Sequence, residues 1–160
     1  MKKTPTKILF ICLGNICRSP MAETIFNKIV ENHSAQDDYV VDSAGLIGFH
    51  AGEPADSRMQ RHARMHGYNI THRSRKIKDF DFDEYDLIVA MDEDNVDRLN
   101  DIAPTLEAQS KIVRMTDYCK INADYCVPDP YYGGEQGFEH VISLLEDACN
   151  GLFEETRRLN

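Results

Sequence analysis

No stretch of this 160-residue chain approaches the roughly 20 consecutive apolar residues that a membrane-spanning helix needs. Its two longest apolar runs, Ile8–Leu13 and Leu87–Met91, are far shorter, so no membrane partner is expected. Low-complexity tracts and internal repeats are missing too, which excludes solenoids and linker-rich chains. Basic charge is in deficit: 18 Lys and Arg against 27 Asp and Glu leave a net charge of −9. With no basic surplus to displace phosphate counterions, nucleic acid is not an expected partner. Cysteine is present in odd number: Cys12, Cys17, Cys119, Cys126 and Cys149. That count argues against a disulfide framework and for a reducing, cytoplasmic setting. The basic opening "MKKTPTK" runs into an apolar stretch too short for a secretory signal and reads as the lead into a buried strand.

At this length the expectation is a single domain over residues 1–160, with a core that needs no staples. Apolar, β-branched runs mark strands at Lys7–Cys12, 39–45, 85–91 and 111–115. Between them the period changes. Ala22, Ile25, Phe26, Ile29 and Val30 recur at helical spacing, predicting a helix over 20–33. Further helices are predicted over 54–69, with Asp56 or Ser57 near the cap and Gly67 as the stop, and over 92–102 beginning at Asp92. The last runs from about Glu135 to Arg158. The segment 116–137 is rich in turn signals and reads as a long loop, the kind that usually carries function. Strands alternating with helices predict an α/β fold with a parallel sheet covered on both faces. Ligands in such sheets bind beyond the carboxyl ends of the strands, here the segments after Cys12, Ser43, Met91 and Arg114.

Acid is clustered in "KDFDFDEYD" (78–86) and "DEDNVD" (92–97), and both runs read as solvated faces. The island "HRSRK" (72–76) is the one basic concentration, and near a site it could draw a phosphorylated ligand. His62 and His66 are spaced i, i+4 in "HARMH", but the glutamate of a zinc-protease helix is missing, so no metal is expected there.

The chemistry concentrates in "CLGNICRS", residues 12–19, between the first strand and a helix that carries Pro20 in its first turn. A helix N-terminus offers unpaired N–H groups and a positive dipole end. Gly14 and Asn15 tolerate positive φ, so the loop can curl its N–H groups inward as a nest. Arg18 adds a planar fork matched to two phosphate oxygens. A sulfur at the rim of such a cradle is expected as the thiolate, making Cys12 a nucleophile beneath a bound phosphoryl group. Ser19 can donate its hydroxyl to that sulfur, while preorganised donors meet the oxyanions of the transition state. A carboxylic acid opposite the sulfur is also required. Asp129, Asp124 and Asp117 on the long loop are the candidates, and Pro130 biases Asp129 toward an extended backbone.

"CLGNICRSP" resembles the phosphate-binding loop of the low-molecular-weight protein tyrosine phosphatases. "VDSAG", "GEPAD", "THRSRKI", "LIVAMDEDN" and "PDPYYGG" resemble further segments of that family, in family order and across essentially the whole chain. The resemblance implies a flavodoxin-like three-layer sandwich, with a four-stranded parallel sheet in the order 2-1-3-4. It implies phosphotyrosine hydrolysis without cofactor or metal: Cys12 as phosphocysteine-forming nucleophile, Arg18 as phosphate clamp and Asp129 as general acid and base. Leu13, Gly14, Asn15, Ile16, Cys17, Ser19, Ser43 and His72 would form or support the loop. Leu13, Ile16, Phe49, Tyr131 and Tyr132 would wall the crevice. Phe49 departs from the tryptophan or tyrosine of many members, and His50 beside it is unusual. Cys17 would be a redox partner for Cys12, capping it reversibly against deeper oxidation. Implied partners are phosphotyrosine proteins, a tyrosine kinase among the candidates, with inorganic phosphate and other oxyanions as inhibitors. The implied assembly is a monomer or weak homodimer.

Four rivals share these residues. A protein-arginine phosphatase of the same family carries threonine where this chain has Ile16, and an apolar residue there suits an aryl ester. An arsenate reductase would need relay cysteines, for which Cys119 and Cys126 lie too late in the chain. A phosphocysteine carrier or a silent phosphate-binding module would have no need of Asp129.

Overall fold

The computed structural model describes residues 4–130 and 133–158. Strands β1 (Thr6–Cys12), β2 (Tyr39–Gly45), β3 (Leu87–Ala90) and β4 (Ile112–Arg114) form one parallel sheet in the order β2-β1-β3-β4. This is the flavodoxin-like arrangement expected from the sequence. Ile8, Leu9, Phe10 and Ile11 of central β1 have no exposed surface. Because side chains alternate along a strand, Ile8 and Phe10 enter one core with Phe26, Ile142 and Leu145, while Leu9 and Ile11 enter a second with Phe82, Val96 and Leu99. Burial on both faces explains why β1 reads as a continuous apolar run.

The helices are α1 (Arg18–Asn32), α2 (Ser57–Met65), α3 (Asp79–Glu84), α4 (Glu93–Ile102), α5 (Leu106–Ser110) and α6 (Gly134–Arg158). α1 starts two residues before Pro20. α2 is shorter than the predicted 54–69, because Asp56 caps it and Gly67, at φ 81°, stops it. Asp92 is the cap of α4 and not its first residue. β3 and β4 lose their end residues, and Met115–Tyr118 forms a 3-10 turn at the head of the long loop. α3 and α5 were not predicted. α3 corrects the reading of 78–86 as a solvated face: Asp81 and Phe82 are buried, and Asp81 pairs with Arg75 at 3.0 Å. Among the described residues, no helix is long and apolar enough to cross a membrane.

Candidate active site

β1 delivers Cys12 at its carboxyl end, and α1 begins six residues later at Arg18. α2, α4 and α5 are capped by Asp56, Asp92 and Thr105, but α1 has no side-chain cap and no acid in its first turn. Its positive end therefore faces the loop with no anion supplied by the helix itself. Asn15 alone in the loop adopts a left-handed backbone, φ 57°. Gly14, which could tolerate it, does not; it provides clearance instead, since a Cβ there would lie 3.3 Å from the His50 ring. Gly45 is similarly constrained. A side chain on it would press on the backbone of Leu13 and Gly14 at 3.0–3.1 Å.

The buried Asn15 amide organises the loop. Its Oδ1 accepts from the Arg75 N–H at 3.0 Å and lies 2.8 Å from His72 Nε2. A backbone N–H can only donate, so Nδ2 must be the group facing Ser19 Oγ at 2.7 Å and Ser43 Oγ at 3.0 Å. Ser43 in turn donates to Glu23. Ser19 thus accepts from Asn15, which leaves its own proton available to Cys12 Sγ, 3.0 Å away. His72 Nε2 presents its proton to Asn15, while Nδ1 faces Glu23 at 3.1 Å and Asp42 at 3.3 Å. Burial pushes Glu23 up, with Ser43 and His72 opposing. Asp42 is held down despite its burial by His72, the Ser43 N–H and Arg75.

Arg18 is 3% exposed. Its Nη1 donates to Asp92 at 2.6 Å and to the Val127 carbonyl at 3.1 Å, and Nη2 lies 3.8 Å from Asp129. Burial opposes its charge, but Cys12, Asp92 and Asp129 outweigh that effect and strengthen its hold on the proton. Cys12, Arg18 and Asp129 line a crevice of about 260 Å³ whose walls include Leu13, Ile16 and Phe49, with His50 and Cys17 alongside. Phe49 is largely exposed at the rim, its ring edge-on to His50, which is held by Glu53 at 2.8 Å. Tyr131 and Tyr132 lie outside the described residues.

Burial, with Asp56, Cys12 and Asp129 adding to it and Arg58 opposing, pushes the Cys17 thiol up. Cys149 is buried on α6, away from the loop. Glu23, Asp42 and His72 place one ligand atom each within 4.8 Å of one another, a set that could hold a cation. Here these groups satisfy one another, and Arg75 Nε neutralises Asp42 at 3.1 Å. The "HRSRK" island is thus partly an internal counter-charge. His62 and His66 both point at Glu139, at 2.7 and 2.8 Å.

Sequence reasoning missed Asp92, Glu23, Asp42 and Arg75. The segment after Met91 was expected at the site and Asp92 as a helix start, but nothing local shows that its second oxygen meets Arg18.

An α/β sheet with a cysteine and an arginine sharing one loop at its carboxyl edge defines the class. The sequence model of the low molecular weight phosphotyrosine protein phosphatase family matches residues 7–159, and the chain belongs to this family. A low molecular weight protein-tyrosine-phosphatase of Streptomyces coelicolor is 40% identical over 153 residues, covering 94% of this chain and 93% of the relative. The crystal structure of a protein tyrosine phosphatase from Entamoeba histolytica is similar at a TM-score of 0.93 and 45% identity, covering 96% of this chain and 97% of that one. The structure of a Drosophila arginine phosphatase is similar at a TM-score of 0.88 and 34% identity, covering 94% and 98%.

Proposed function

We propose that this protein hydrolyses protein phosphotyrosine and small aryl phosphates, without a metal, through a phosphocysteine intermediate. The observation that carries the reading is the meeting of Cys12, Arg18 and Asp129 in one crevice with Leu13, Ile16 and Phe49 on its walls. Cys12 Sγ attacks phosphorus as the thiolate. The P–O bond to the aryl group breaks, and Asp129 passes its proton to the departing oxygen. Arg18 and the loop N–H groups hold the equatorial oxygens as charge develops. Asp129, now a carboxylate, takes a proton from the water that attacks the phosphocysteine. Inorganic phosphate leaves, and the Ser19 hydroxyl steadies the returning thiolate.

Ile16 on the crevice wall favours an aryl ester over phosphoarginine, although an arginine phosphatase is among the structural neighbours. Burial, together with Asp147 and Asp124, pushes the Cys119 thiol up to about 12, which disfavours a relay cysteine of the arsenate-reductase kind. Cys17 lines the same crevice as Cys12 and is the thiol that would cap an oxidised Cys12 reversibly. The thiols suit a reducing cytoplasm, and the expected partners are phosphotyrosine proteins, with inorganic phosphate as a competing ligand.

The test is phosphate release from a phosphotyrosine peptide and from phosphoarginine, with a chelator present. The tyrosine ester should be cleaved preferentially, Cys12→Ala should abolish turnover and Asp129→Ala should slow it. Preference for phosphoarginine would overturn the substrate assignment. Accumulation of phosphocysteine without turnover would indicate a carrier.

A further inference from the structure

One buried carboxylate has no part in the chemistry above. Asp147, in the middle of α6, is 8% exposed and accepts four hydrogen bonds from a single stretch of loop. Oδ1 takes the Lys120 N–H at 2.9 Å. Oδ2 takes the N–H groups of Ile121 at 3.0 Å and Asn122 at 2.8 Å, and the Asn122 side-chain amide at 3.0 Å. Three successive backbone donors converging on one carboxylate form a nest around a charge the protein itself supplies. Those donors outweigh the burial of Asp147 and hold its carboxyl below the usual carboxylate range.

The nest closes the upstream end of the loop that carries Asp129. At the other end, Val127 is pinned by its N–H to the Met91 carbonyl at 2.8 Å and by Arg18 to its own carbonyl. In between, the Thr116 hydroxyl donates to the Tyr125 carbonyl and His140 of α6 meets Asp124 at 2.9 Å. Asp129 lies two residues beyond Val127, so its position depends on a segment gripped at 120–122 and at 127. The first grip rests on the Asp147 charge and the second on the Arg18 guanidinium, whose Nη2 also lies 3.8 Å from Asp129 itself.

We infer that Asp147 is a positioning residue for Asp129: by anchoring Lys120–Asn122 to α6, it fixes the loop so that the acid stands over the crevice. The inference rests on the general-acid role proposed for Asp129. Asp147 touches neither substrate nor the Cys12 sulfur, so its loss should impair proton delivery and leave phosphate binding intact. Misplacing a catalytic group by about 1 Å can cost up to a hundredfold in rate. With the Val127 grip retained, the expected loss is on the order of tenfold where protonation matters most.

The experiment measures kcat/KM for phenyl phosphate and 4-nitrophenyl phosphate, and the inhibition constant of inorganic phosphate. Wild type, Asp147→Asn, Asp129→Asn and the double variant are compared. Phenolate is the poorer leaving group and depends more on the acid. Asp147→Asn should lower kcat/KM for phenyl phosphate about tenfold and for the nitrophenyl ester less than about threefold. The phosphate inhibition constant should not change, and in the Asp129→Asn background Asp147→Asn should have no further effect. Equal losses on both esters, weakened phosphate binding, or no loss on either would overturn the inference. If Asp129→Asn itself shows no leaving-group dependence, the general-acid reading fails; if only Asp147→Asn lacks it, this inference alone fails. Should Asp147→Asn not fold, Asn122→Ala removes a single donor and must show the same selectivity, at about twofold.

Discussion

Replacing Asn15 separates two reasons why an asparagine stands there. Its side chain satisfies four polar neighbours, and its backbone sits at φ 57°. In Asn15→Ala, the Arg75 N–H and His72 Nε2 lose their shared acceptor, while the Ser19 and Ser43 hydroxyls keep other partners. Each buried donor left unmet costs about 1–3 kcal/mol, so the pair costs about 2–6 kcal/mol. Alanine in the left-handed region adds about 1–2 kcal/mol. At about 2–4 °C per kcal/mol for a chain of this size, Asn15→Ala should melt on the order of 10–20 °C below wild type. Asn15→Gly loses the same hydrogen bonds but escapes the backbone cost, while gaining about 0.4–1 kcal/mol of unfolded-state freedom. The two variants should therefore melt within about 6 °C of each other. Differential scanning calorimetry at equal protein concentration, with and without inorganic phosphate, reads both. An Asn15→Gly variant that melts with wild type would refute the reasoning, because the conformation would then matter and the amide cage would not.

Asp92→Asn retains an oxygen to cap α4 but turns an amide toward Arg18. It should lower kcat/KM on a phosphotyrosine peptide by up to about a hundredfold without altering the circular dichroism spectrum. Gly151→Ala places a methyl against the Tyr118 carbonyl, which overlaps it; the overpacking costs about 1–3 kcal/mol. Alanine otherwise favours a helix over glycine by about 1 kcal/mol, so a raised melting temperature would contradict the contact. Asp56→Ala removes the cap on the Arg58 and Met59 N–H groups and should cost about 0.5–2 kcal/mol near neutral pH. Despite burial, Arg58 and these N–H groups hold the Asp56 carboxyl below its ordinary value. Its contribution is therefore complete above the unfolded carboxylate range near pH ~4 and is lost as pH falls through the native value. The gap in melting temperature between the two proteins should stay constant from pH 8 to 5 and close in stronger acid.

The parts of the site that were legible in the sequence are local. β1 is a fully buried strand and shows it, and the loop that follows compresses sulfur, amide, guanidinium and hydroxyl into eight residues. The sheet order and the gathering of Cys12, Arg18 and Asp129 followed from the resemblance. What stayed hidden depends on partners distant in sequence. Asp92 meets Arg18 across 74 positions, and its legible place at a helix start does not reveal that partner. α3 carries mostly acid with no apolar stripe, and Asp81 could be read as buried only by knowing that Arg75 would cover it. Two residues of the loop, Gly14 and Asn15, can tolerate a positive φ, and the backbone uses one. Asn15 takes it, because its side chain must turn back into the protein.

The two loops of the site are fastened differently, although α6 shares one core with β1 and α1. The cysteine and its serine belong to the end of β1 and to α1. The acid's loop is fastened instead along α6, from Pro130 against Gly137, through Asp147, to Tyr118 against Gly151. These regions need not open together under mild denaturant or heat, since native proteins loosen in contiguous units of unequal stability. If the acid's loop comes away from α6 first, the protein becomes an oxyanion receptor that grips its ligand and no longer turns it over. Inhibition by phosphate would then outlast catalysis along the same denaturation curve.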